Sequence, residues 1–202
     1  INAGFIGVGA SGDLSKGIPS ASVWCFGEDA NARYLFIGTD NAVSRLNHKT
    51  AKFDQFFRNK KMNNAGDVSE SSILSLYAIS ENELLIGASD GLFQLRISGK
   101  EYSFEKVKLK DIDNPSNFER IYSIVHWKDQ QYFLATKGGV LLYDKFRNTF
   151  TVFEHDPKNR KKTISAGICR LAYKDLNGQI WFTTSVGGLN LLQEKATGGI
   201  MI

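Results

Sequence analysis

Cysteine is scarce in this chain: among 202 residues there are Cys25 and Cys169 and no others. Two are too few for a disulfide framework and have no metal-ligand spacing. Each is expected as a small buried apolar side chain, and neither decides the redox compartment. Excess charge is also lacking. Lys plus Arg number 25 against 21 for Asp plus Glu, a net charge of +4. That balance argues against a dedicated nucleic-acid binder unless the charge gathers on one face. No apolar stretch approaches the ~20 residues a membrane helix requires. The chain opens on Ile1, without an initiator Met or a signal-peptide pattern, so Ile1 is expected to be a cut end. Helical periodicity is sparse. KFDQFFRNKKMN (52–63) can be drawn as an amphipathic helix, but its neighbours predict a strand followed by a basic connector.

What the sequence does contain is a repeat. DLNGQIWFTTSVGGLNLL (175–192) runs from an Asp-x-Asn-Gly turn into an apolar run, a Gly-Gly pair and a second apolar run. The same plan recurs in YLFIGTDNAVSRL (34–46), ELLIGASDGLFQL (83–95) and YFLATKGGVLLY (132–143). Gly38, Gly87, Ala135 and Thr183 mark the copies at steps of 49, 48 and 48 residues; Leu46, Leu95, Tyr143 and Leu192 follow at 49, 48 and 49. Each copy is preceded by a β-rich run: SVWCF (22–26), SILSLY (72–77), RIYSIV (120–125) and GICRLAY (167–173). Each is followed by another: KFDQF (52–56), EYSFEKV (101–107), TFTVF (149–153) and GIMI (199–202). We call these four runs A, B, C and D. Polar turns separate A from B. Asp90-Gly91, Gly138-Gly139 and Gly187-Gly188 separate B from C, where tight turns need positive φ; the first copy has Asn41-Ala42 there.

Each unit therefore reads as a meander of four short antiparallel strands. The B runs, such as Leu84-Leu85-Ile86 and Ile180-Trp181-Phe182, are apolar without alternation, as a strand buried on both faces must be. One four-stranded sheet cannot bury both faces, whereas a stack of sheets can. The small residue ending each B run suits close approach between sheets. The expected fold is all-β: β-propeller blades, about four four-stranded meanders plus a partial blade. The boundaries are 1–20 for the partial blade, then 21–66, 67–117, 118–165 and 166–202, all within one propeller segment. GFIGVG (4–9) reads as the B run of an earlier blade and GIPS (17–20) as a connector. Four units could close into a small ring or belong to a larger one; the larger ring is expected. An open arc would leave apolar blade faces uncovered and favour self-association. The cysteines, both on A runs, could approach each other in a closed four-blade ring but would sit across the channel of a seven-blade ring.

DLNGQIWFTTSVGGLNLL with its Lys-Ala-Thr-Gly turn, and the connector FEHDPKNRKKTISAGICRLAYKD (153–175), resemble the two-component regulator propeller repeat. The resemblance covers nearly the whole chain and is strongest in 150–197. The second unit departs from it at Ser80-Glu81-Asn82-Glu83, and the third has Leu-Ala-Thr where the family favours Ile-Gly-Thr. It implies seven-bladed propellers in the periplasmic sensor region of hybrid two-component histidine kinases of Bacteroides-type bacteria. Those kinases respond to glycan-derived oligosaccharides. The membrane would then be met only through segments outside this chain.

Motifs for chemistry are few. Gly7-Val8-Gly9-Ala10-Ser11-Gly12 matches GxGxxG, but Gly17 and Pro19 follow where a dinucleotide fold needs a helix, so a blade turn is expected. His48, His126 and His155 have no metal-ligand spacing and no nucleophile beside them. Asp111, Asp113 and Asn114 lack the Gly and distal Glu of a Ca²⁺ loop. No catalytic residue, metal or cofactor is expected.

Basic residues cluster in the D-to-A connectors: Arg58, Lys60 and Lys61; Lys106, Lys108 and Lys110; and Lys158, Arg160, Lys161 and Lys162. They are read either as solvated loops or as a basic face attracting an anionic ligand or partner. Beside them, at the starts of A runs, stand Trp24, Tyr122 and Arg170. Aromatic faces can stack on sugar rings and Arg can clamp a carboxylate or sulfate; the aromatics can equally pack between blades. The expected function is non-catalytic ligand sensing and signal relay. The alternatives are a propeller enzyme, lyase or glycan hydrolase, and a protein-interaction scaffold. Expected partners are an oligosaccharide or other small ligand, other blades of the same protein and a second copy, with no nucleic acid.

Overall fold

The computed structural model describes residues 9, 11, 13–40, 42–58, 71–158, 163–194 and 200–201. The first sheet is β1 (Val23–Glu28), β2 (Tyr34–Thr39), β3 (Ala42–Asn47) and β4 (Phe53–Phe57). The second is β5 (Ile73–Ser80), β6 (Glu83–Ala88), β7 (Gly91–Ser98) and β8 (Glu101–Val107). The third is β9 (Ile121–His126), β10 (Gln131–Thr136), β11 (Val140–Asp144) and β12 (Thr149–Phe153). The fourth has β13 (Cys169–Lys174), β14 (Ile180–Thr184) and β15 (Gly188–Leu191), then β16 (Gln193–Glu194) paired with β17 (Ile200–Met201). Leu192 alone separates β15 from β16, and its N–H bonds to the Ile180 carbonyl at 2.9 Å. All pairings are antiparallel between strands consecutive in sequence. One 3₁₀ turn, Pro115–Asn117, is the helical element among the described residues. KFDQFF yields strand β4, as its place in the repeat predicts.

The sheets stack as propeller blades because each presents two apolar faces. Alternation in the B strands divides the side chains between the two neighbours. In β6, Leu84 and Ile86 join Phe36, Val43 and Ile73 in the core between the first and second blades. Leu85 turns the other way, into a core with Ile121, Tyr132 and Leu134. In β10, Leu134 faces the second blade while Phe133 and Ala135 meet Cys169, Ile180 and Phe182 of the fourth. Complete burial of Phe36, Leu85 or Phe133 contributes about 2–3 kcal/mol each from apolar surface alone.

The innermost strands β1, β5, β9 and β13 pack in that order. Gly38 and Gly87 bring neighbouring inner strands close. A Cβ on Gly38 would come within 2.8 Å of Ile73 Cγ2, and one on Gly87 within 2.9 Å of the Ile121 carbonyl oxygen. Small polar side chains tie one inner strand to the next: Cys25 Sγ donates to Ile73 O (3.5 Å), Ser75 Oγ to Ile121 O (3.3 Å) and Ser123 Oγ to Ala172 O (3.1 Å). At the same register the fourth blade has Leu171, opposite Thr183 and 49 % exposed.

Among the described residues no core cluster joins the first and fourth blades. Their outward faces keep Phe26 at 64 %, Tyr173 at 56 % and Leu189 at 62 % exposure. The first blade is partly covered by its own leading segment. Ile18 packs on Ile37 and Phe53, and Gln55 Nε2 donates to the Leu14 and Gly17 carbonyls at 3.0 and 2.8 Å. Of the glycine-rich stretch 7–12, Gly9 and Ser11 are described and the other four lie outside the described residues; turns and bends, not a helix, occupy 13–17. Both cysteines are free thiols, and burial raises each pKa to about 12, as expected for packing residues.

Candidate functional site

Each inner strand carries an irregularity at one shared position, and β5 has a second between Ala78 and Ser80. Val23 pairs with Thr39 and Cys25 with Gly38, leaving Trp24 as an extra residue in β1. The same interruption leaves out Leu74 in β5, Tyr122 in β9 and Arg170 in β13. A bulge of this kind re-aims its side chain out of the ladder. It places Trp24, Leu74, Tyr122 and Arg170 at one register on four consecutive blades, beside the B–C turns. The three residues expected at this rim thus occupy equivalent positions. Leu74 is an addition to them; the spacing of 50, 48 and 48 residues that relates the four is readable in the chain.

The rim is polarised. On the first blade, Trp24 is 53 % exposed and its indole N–H donates to Asp40 Oδ1 at 2.6 Å. Asp40 also accepts from Ser20 Oγ and Ser72 Oγ, each at 3.2 Å. Burial alone would raise the Asp40 pKa, but bonds from Trp24, Ser22, Ser20 and Ser72 outweigh it and hold the carboxyl below its ordinary range. On the second blade the half-buried Leu74 adds an apolar side chain. On the third and fourth blades the rim is cationic. The Arg170 guanidinium lies 4.5 Å from the Tyr122 ring centroid and that of Arg120 lies 5.9 Å away. Lys137 is adjacent, its N–H bonding to the Arg120 carbonyl at 3.2 Å. Arg170 Nε donates to Ser185 Oγ at 3.4 Å. Tyr122 and Arg170 are therefore brought together, while Trp24 stands apart on the first blade.

Of the basic face, Arg58 is already engaged. It grips Asp90 at 2.7 and 3.0 Å and lies 4.8 Å from the Phe93 ring centroid, bridging the first two blades. Lys106 sits in β8 and pairs with Glu119 at 3.4 Å. Lys108, Lys110 and Lys158 are exposed. Lys60, Lys61, Arg160, Lys161 and Lys162 lie outside the described residues. The histidines have local partners: His48 meets Glu28 at 3.3 Å, His126 Nε2 lies 2.9 Å from the Asp129 carbonyl and His155 Nδ1 2.8 Å from that of Ile164. Asn114 leads into the 3₁₀ turn with φ of 53°. Among the described residues no cluster of His, Cys, Asp or Glu is placed to hold a metal.

Two grooves lie on the outer edges of the blades. One of about 570 Å³ is bordered by Ser80, Arg96, Glu101 and Tyr102, and one of about 510 Å³ by Gln94, Lys106, Lys108, Tyr143 and Lys145. Their central cations are neutralised by Arg96–Glu105 and Lys145–Glu83 pairs at 2.7 and 3.0 Å. Trp24, Tyr122 and Arg170 line neither.

The fold and its inner rim define a β-propeller. No family model matches the chain, and no curated protein matches it. Solved structures do share its shape. The extracellular domain of a protein described as a putative hybrid two-component system from B. thetaiotaomicron is 18 % identical at a TM-score of 0.54, over 91 % of this chain and 28 % of that one. The Cps50 (Swd1) β-propeller domain of Myceliophteria thermophila is 10 % identical at 0.64, over 88 % and 53 %. The GH74 enzyme of Niastella koreensis is 14 % identical at 0.58, over 90 % and 30 %. The chain thus spans between about a quarter and a half of the length of these structures, and at such identities the likeness is one of fold.

Proposed function

We propose that this chain is a non-catalytic ligand-sensing and signal-relaying segment of a hybrid two-component sensor kinase, on its periplasmic side. Its ligands are glycan-derived oligosaccharides, and its remaining partners are further blades of the same protein and a second copy. The observation carrying this reading is the common register of Trp24, Tyr122 and Arg170, each displaced from an inner strand onto one rim. Trp24 is an aromatic face held in place by Asp40 and open to solvent, as stacking on a sugar requires. Likeness in shape to an extracellular domain of a two-component system supports the reading. The segment relays a signal by favouring one arrangement of rigid blades and their neighbours over another.

The shape shared with a GH74 enzyme keeps an enzymatic reading in play. A glycosidase of the usual kind needs two carboxyl groups flanking the bond, and at this rim Asp40 is committed to Trp24 and the serines. Calorimetric titration of the chain with a panel of oligosaccharides, with product analysis of each mixture, separates the readings. Binding without turnover is expected, weakened roughly tenfold by Trp24→Ala, the equivalent of about 1.4 kcal/mol. Turnover of any glycan would make the chain an enzyme; uniform absence of binding would leave a scaffold.

A further inference from the structure

Seven of the eight arginines are described, and five are neutralised. Arg33 pairs with Glu81, Arg45 with Asp54, Arg58 with Asp90, Arg96 with Glu105 and Arg147 with Asp144, all at 2.7 or 2.8 Å. The two that make no salt bridge among the described residues are Arg120 and Arg170, and both lie over the ring of Tyr122. Lys137, beside Arg120, is exposed and also makes none among the described residues. The nearest acidic neighbour in sequence, Glu119, is turned to Lys106. Two guanidinium groups thus share one aromatic ring, with the Lys137 backbone bonded beside Arg120, whereas the other described arginines are matched with carboxylates.

The arrangement has a structural origin. Arg120 directly precedes β9, Lys137 directly follows β10, and the bulge in β13 swings Arg170 toward the third blade. Tyr122 aligns the Arg170 guanidinium through its π face, at 4.5 Å, which reduces the side-chain freedom lost on binding. Like charge concentrated without a paired acid among the described residues disfavours the empty site and favours an anion.

We infer that Arg120 and Arg170, both over the Tyr122 ring, with Lys137 beside Arg120, form a subsite for a single oxyanion, the carboxylate or sulfate ester of a sugar ligand. The identity of the sugar rests on the sensing role proposed above; the subsite itself does not. Guanidinium groups hold such oxyanions through paired N–H donors, and the Trp24 end of the rim is left for the rest of the ligand.

The test is titration of the full chain with inorganic sulfate, glucuronate, glucose 6-sulfate and glucose, followed by calorimetry and by backbone amide shifts. Sulfate is expected to bind with shifts centred on Arg120, Lys137 and Arg170. Arg170→Gln and Arg120→Gln should each weaken it roughly tenfold. Arg170→Lys should recover part of the loss, and Lys100→Gln, in the exposed turn between β7 and β8, should change nothing. The better of glucuronate and glucose 6-sulfate identifies the oxyanion. Absence of sulfate binding, or equal weakening by Lys100→Gln and Arg170→Gln, overturns the inference. Oligosaccharide binding without an anion preference would remove the subsite and leave the sensing role; sulfate binding without any sugar binding would do the reverse.

Discussion

At the residue scale, several side chains hold turns that the backbone alone would leave open. Asp29 Oδ1 accepts from the Arg33 and Tyr34 amides at 2.8 and 2.6 Å. Asp175 Oδ1 plays the same part for Asn177 and Gln179, both at 2.9 Å. In the Asp175 turn Gly178 takes φ of 82°, and in the Asp29 turn Ala32 takes φ of 50° in its place. A left-handed alanine costs roughly 1–2 kcal/mol, offset in part because glycine is freer when unfolded. Ala32→Gly should therefore raise stability by about 0.5 kcal/mol and Gly178→Ala lower it by about 1 kcal/mol, read from denaturant midpoints. A second residue-scale consequence concerns pH. The folded Asp40 pKa lies below its ordinary value of 3.8, so its contribution is complete above that value and is lost as pH falls through the depressed one. Trp24 loses its carboxylate acceptor in the same window. Indole fluorescence should shift below pH 3.8, and Asp40→Asn should remove the Trp24 part of that shift; an unchanged acid transition in the variant would contradict the assignment.

At the scale of the element, the B strand and the turn after it carry most of the instruction. Thr136 Oγ1 donates to the Gly139 carbonyl at 2.9 Å and accepts from the Gly138 amide at 3.2 Å. Thr39 and Thr184 lock their turns likewise, whereas the second blade has Ala88 at that register. Gly87 decides how close β5 and β9 can lie to it, since an added Cβ would meet Ile121 Cγ2 at 2.6 Å. Gly87→Ala is expected to cost about 1–3 kcal/mol by overpacking, measured as a fall in the unfolding midpoint. Strand count and blade order were legible because Gly38, Gly87, Ala135 and Thr183 recur on a near-constant period and the B runs are apolar on both faces. The bulges were not legible, because one extra residue in a short strand leaves no compositional mark; Leu74, in particular, reads in the chain as one more apolar core position. Tyr122 and Arg170 were legible as residues of one rim, but the contact between them was not, since Arg170 meets Arg120 and Tyr122 of the third blade only when the third and fourth blades stack.

For the whole molecule, the uncovered faces matter most. Leu171, Tyr173 and Leu189 form an apolar surface on the fourth blade, and Phe26 lies opposite Ile37 on the outward side of the first. Isolated in solution, the chain should associate reversibly, with a weight-average mass rising with concentration in sedimentation equilibrium. Tyr173→Lys combined with Leu189→Lys should return it toward the monomer while leaving the unfolding transition of the inner blades in place. A mass independent of concentration would mean that those faces are covered in some other way. The three separate cores between blades bear on how such a chain comes into being. Among the described residues, each core that secures a blade joins it only to the one made just before or just after it, so each can settle against its predecessor while the ribosome is still extending the chain. An additional meander spliced onto either flank would dock by the same local rules, and duplication of a single gene segment would lengthen the arc without redesigning what was already folded.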